Sequence, residues 1–69
     1  MNYKELHTMI KGETLPMASE NSRGNAIIVT AGRTEDDMKF ITLKTCQDNG
    51  WIRVNTYYED GTFEETYEK

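Results

Sequence analysis

Few side chains in this sequence carry the means for covalent chemistry, and they are scattered. His7 is the single histidine and Cys46 the single cysteine. A general base needs a nucleophile or an orienting partner beside it. His7 sits among polar positions of an N-terminal helix, so a solvated helix histidine is the plain reading. A reactive thiol needs a cation or a helix N-terminus to lower its pKa. Arg53 is opposite Cys46 in the register derived below; without that help Cys46 is a small, half-buried strand residue. Ser19 and Ser22 have no companions for a triad. Glu35-Asp36-Asp37 and Asp48-Asn49 lack the alternating oxygen spacing of a calcium loop. Gly32-Arg33-Thr34 fits neither glycine-rich phosphate motif. These residues point away from an enzyme and imply neither a cofactor nor a metal. What remains is binding chemistry: Phe40, Trp51 and Tyr57 interleaved with Lys44, Arg53 and Asn55.

Those residues need a sheet to display them. Asn49-Gly50 and Asp60-Gly61 favour type I′ turns, because glycine takes positive φ without strain. Around them the sequence predicts strands at about 39–47, 51–58 and 62–67, with an earlier β-branched strand at about 26–31. Before the strands, Asn2 is an N-cap with Glu5 three residues later, as in a capping box. Tyr3, Leu6, Met9 and Ile10 form one helical stripe. Lys11 and Gly12 suit the helix end, giving a helix over about 3–11. Glu13 to Asn25 has no sustained periodicity, Pro16 breaks any helix, and 19–24 has loop composition. Leu15, Pro16 and Met17 fit an irregular crossing against the core. The fold class expected is α+β: one helix packed on a four-stranded antiparallel meander, in a single domain over 1–69.

Two-residue loops at Asn49-Gly50 and Asp60-Gly61 would set Tyr58 opposite Phe63 and Gln47 opposite Ile52. Ile41, Leu43, Ile52, Val54, Tyr58, Phe63 and Tyr67 then share an apolar face. Phe40, Thr42, Lys44, Cys46, Trp51, Arg53, Asn55, Tyr57, Glu64 and Glu68 share a mixed one, with Arg53–Glu68 and Tyr57–Glu64 as cross-strand pairs. A five-residue connection before Lys39 places Ile27, Val29 and Ala31 on the apolar side. An antiparallel sheet can leave its second face solvated.

The chain has 69 residues, 36% of them hydrophobic, so its core is small. A lone cysteine excludes an internal disulfide, and the N-terminal Met-Asn-Tyr-Lys-Glu-Leu-His lacks a secretory apolar run, which together suggest the cytoplasm. No stretch approaches a membrane span. Residues 1–34 hold four basic and three acidic side chains, residues 35–69 four and nine, a net +1 against −5. Glu59 to Glu68 contains five acids and no base. Duplex nucleic acid is disfavoured as a partner, because neutralising phosphates requires a basic surface.

The function expected is that of a small acidic protein-binding module or inhibitor, without enzymatic activity, whose protein partner meets the open sheet face and the acidic C-terminal hairpin. Its contact residues would be Phe40, Lys44, Trp51, Arg53, Tyr57, Glu59, Asp60, Glu64 and Glu68. Trp, Tyr and Arg dominate interface energetics, and carboxylates can stand where phosphates lie in a basic groove. In size and charge, rather than in any motif, the chain resembles small accessory proteins of phages and bacterial mobile elements. Two other functions fit the same residues. Aromatics beside cations can stack the bases of a single-stranded nucleic acid. A second copy can pair through the mixed face or an outer strand edge, giving a homodimer.

Overall fold

The computed structural model describes residues 1–69. Helix α1 spans Tyr3–Ile10. The strands are β1 (Met17–Glu20), β2 (Ala26–Arg33), β3 (Lys39–Cys46), β4 (Ile52–Tyr58) and β5 (Phe63–Glu68). They form one sheet in chain order, each pair antiparallel. The four-stranded meander expected from the sequence is thus corrected to five strands, with the helix on one face. The additional strand comes from the segment read as irregular. Met17–Glu20 is four residues long and mostly exposed, so it carries no apolar alternation. It is a strand because its backbone completes the ladder of β2, from Met17↔Val29 to Glu20↔Ala26.

The Asn2 side chain accepts the Glu5 amide at 2.9 Å and so caps α1. Gly12 follows at φ 84° and ends it. Leu6 and Ile10 are buried, with Tyr3 beside them. Met9 is 62% exposed and leaves the predicted stripe, since it falls toward the helix flank. Eight residues do not hold a helix in water, so α1 depends on this docking.

All four turns share one geometry. In each, a closing residue donates its N–H to the carbonyl four positions on: Asn21 to Asn25, Thr34 to Met38, Gln47 to Trp51, and Tyr58 to Thr62. Each loop therefore holds three residues, not two. The third loop residue has positive φ, namely Gly24, Asp37, Gly50 and Gly61. This is the type I turn followed by a left-handed bulge residue. The bulge leaves the N–H after each loop without a ladder partner. A side-chain oxygen takes it in every case: Asn21 Oδ1 for Asn25 (3.0 Å), Thr34 Oγ1 for Met38 (3.1 Å), Asn49 Oδ1 for Trp51 (3.0 Å) and Asp60 Oδ1 for Thr62 (2.8 Å).

The extra loop residue moves each of the last two pairings by one position. Cys46, not Gln47, opposes Ile52, and Tyr57, not Tyr58, opposes Phe63. A one-residue slip exchanges the two faces of a strand. Ile52, Val54 and Tyr58 consequently leave the expected apolar face, while Arg53, Asn55 and Tyr57 join it. The second slip cancels the first for β5, so Phe63 and Tyr67 stay on the helix side with Ile41 and Leu43. Ile27, Val29 and Ala31 lie there too, across the connection 34–38.

The core is Leu6, Ile10, Val29 and Ile41, bordered by Tyr3, Leu15, Met17, Ile27, Leu43 and Tyr57. No helix is long and apolar enough to cross a membrane.

The turns generate a stability test. A Cβ at Gly50 or Gly61 would meet nothing within 4 Å, so any cost of alanine there is backbone strain. Gly50→Ala and Gly61→Ala should each destabilise by about 1 kcal/mol. Gly50→Asn should cost less, because asparagine tolerates the left-handed region. Urea midpoints at constant m-value measure this; alanine variants with the parental midpoint would refute the turn assignment.

Candidate functional site

Side chains alternate along a strand, so the pairing register determines what the sheet face opposite α1 displays. At one end Gly32, Phe40 and Tyr58 form a row across β2, β3 and β4. The next row is Thr30, Thr42, Thr56 and Glu64. The third is Ile28, Lys44, Val54 and Thr66, and the last contains Cys46, Ile52 and Glu68. Nothing in the chain covers this face. It is apolar toward both ends, crossed by a threonine ladder, and acidic along β5.

Local packing explains how each row is held. A Cβ on Gly32 would lie 2.9 Å from the Phe40 ring, so the glycine lets that ring lie flat across β2. Tyr58 flanks it on the other side, with ring centroids 5.7 Å apart. Thr42 is only 8% exposed although nothing sits above it, because its β-branched neighbours close around it. Lys44 Nζ reaches Glu68 Oε1 at 3.2 Å across the diagonal.

The residues singled out in the sequence are divided between the two faces. Phe40, Lys44, Glu64 and Glu68 share the open face. Trp51, Arg53 and Tyr57 lie on the helix side, so the aromatic trio expected on one surface does not exist. Tyr57 packs on the core and on Phe63 at 4.9 Å. Trp51 is 39% exposed, with Lys69 Nζ 5.2 Å from its ring centre. Arg53 opposes Thr45 and Tyr67, so neither the Arg53–Glu68 nor the Tyr57–Glu64 pair forms, and the guanidinium is not opposite Cys46. Glu59 and Asp60 are turn residues with structural hydrogen bonds. Glu59 Oε1 accepts the Lys39 amide at 3.0 Å, and Asp60 accepts the Thr62 amide. Hydrogen bonding from the Thr62 side chain, then from the Thr62 amide, holds the Asp60 carboxyl below the ordinary aspartate range. Sequence reasoning missed Tyr58, Ile52 and Val54 as open-face residues; the loop length alone would have found them.

No group of three or more His, Cys, Asp or Glu side chains converges as a metal site. His7 is exposed and stacks on Tyr3 at 5.7 Å. On the helix side of β5, Glu65 is bonded twice. It accepts Asn55 Nδ2 at 3.0 Å and Tyr67 Oη at 2.9 Å.

The hydrogen bond to Glu65 raises the Tyr67 phenol above its ordinary value. Loss of water contact, with the nearby Glu64 charge, raises Tyr58. A phenol whose folded pKa is raised contributes stability below its unfolded pKa and loses it as pH rises through the folded value. Stability should therefore fall above about pH 10, and Tyr67→Phe should flatten that fall. Urea midpoints taken across the alkaline range test it; equal slopes for parent and variant would count against the Tyr67–Glu65 bond. No protein-family model matches the chain, nor does any curated protein or solved structure.

Proposed function

We propose that this chain is a small acidic protein-binding module, without enzymatic activity, that docks through the sheet face opposite α1. The observation that supports this is the composition of that uncovered face. Phe40, Tyr58, Ile28, Ile52 and Val54 provide apolar contact area, and the threonine ladder offers hydroxyls between them. Glu64 and Glu68 border it along β5. The partner that fits is a protein surface with an apolar centre and a basic rim, since opposite charge steers encounter and fixes register. A second copy fits less well, because each chain carries a net charge of −4. Single-stranded nucleic acid loses its main support, since Trp51 and Tyr57 are not beside Phe40. The exposed free thiol of Cys46 suits a reducing cytoplasm.

Affinity capture from the source cell, followed by binding to the purified partner, tests this proposal. Charge reversal at Glu64 and Glu68 together should weaken that complex by at least about tenfold, and added salt should do the same. Val54→Arg should weaken it without unfolding the domain, as circular dichroism would show. A partner held equally by parent and variants would refute the open face as the contact. Saturable binding of fluorescent oligonucleotides at low salt, or a concentration-dependent dimer in sedimentation that Val54→Arg abolishes, would refute a different protein as the occupant of that face.

A further inference from the structure

A recess of about 470 Å³ lies at the end of the sheet where the Asn21–Asn25 and Gln47–Trp51 turns meet. Eight of its nine lining residues are polar or charged. Its walls are fixed by the turns. Asn21 Oδ1 accepts the amides of Arg23 and Asn25 at 2.9 and 3.0 Å, and Asn25 Nδ2 donates to Asp48 Oδ1 at 2.8 Å, joining one turn to the other. Arg23 and Arg53 reach it from different elements.

Both guanidiniums are free of carboxylates in a chain with twelve of them. The ion pairs of the molecule use Arg33 with Asp37 and Lys44 with Glu68. Arg53 Nε is enclosed and has no hydrogen-bond partner. With Nε closed off, Arg53 can meet an anion only through its terminal guanidinium nitrogens. Two arginines beside the single, already hydrogen-bonded Asp48 give the recess a positive charge on an otherwise acidic protein. Gln47 adds an amide to the lining.

We propose that this recess binds the phosphate group of a small phosphorylated molecule. Guanidiniums arriving from a turn and from β4 approach an anion from two directions, which suits a tetrahedral oxyanion. The volume falls in the range of small-molecule sites and leaves room for a group attached to the phosphate. The site meets the open face only at Cys46, its other lining residues belonging to the turns and to the helix side of the sheet.

Inorganic phosphate is the probe. Titrated at constant ionic strength against chloride, it should give saturable NMR shifts at the Arg53 Nε–H and at the Asn21 and Asn25 side-chain amides. Arg23 is exposed, so Arg23→Ala tests the site without threatening the fold; it should weaken binding about tenfold. Arg53→Lys should do likewise, because an ammonium loses the fork of donors. Acetate at matched ionic strength should give no saturable shift. Linear shifts that chloride reproduces, equal affinity for acetate, or phosphate affinity unchanged in both variants would each overturn the proposal.

Discussion

Every strand of this sheet is placed by the same turn, and the odd number of residues in that turn is the constraint on which the rest depends. A loop of three residues closed by a pair four apart fixes register without any help from packing. The closing residue gives its N–H to the far carbonyl, the third loop residue takes positive φ, and a side-chain oxygen satisfies the amide that the bulge releases. Because these bonds are local, a domain with four buried apolar residues keeps one register rather than a set of slipped alternatives. Asp37 takes the position that glycine holds in the other turns, and its carboxylate pairs with Arg33 at 2.9 Å.

The turns decide the surfaces as well as the sheet. Helix α1 covers only the end of one face, around Ile41 and Tyr57. Toward the other end of that same face Thr45 and Arg53 lie between Ile27 and Tyr67, beside the first and third turns. The opposite face receives the residues that the register excludes from the core, which is why it combines Phe40, Tyr58, Ile52 and Val54 with a row of threonines. The protein thus has two distinct open surfaces, one amphipathic with an acidic border, the other concave and lined by two arginines. Both exist because the core is too small to use the whole sheet.

Much of the fold was legible in the residues. Asn2 and Glu5 announced the helix start, Gly12 its end, and the β-branched run 26–31 its strand. Asn49-Gly50 and Asp60-Gly61 located two hairpins. They did not specify loop length, because the same dipeptide serves a two-residue loop and the end of a three-residue one; glycine is left-handed in both. Assuming one length for both hairpins gave an internally consistent register that was shifted throughout. A further signal was available. Asn21 and Gly24 are the residues a type I turn favours at its first and fourth positions, and that pair marks the first turn and hence β1.

The sequence by itself determined α1, β2 to β5 and the acidic C-terminal half, since these follow from local propensity and from charge that no folding can move, whereas β1 exists only through its pairing with β2. Tertiary structure alone decided which residues share a face. Trp51, Arg53 and Tyr57 are separated from Phe40 and Lys44 by one residue of loop. Asn25 and Asp48, 23 positions apart, meet only when the sheet brings two turns together. The physical reason is the period of two along a strand: a local change of one residue in a turn leaves every propensity intact and exchanges both faces of the strand that follows.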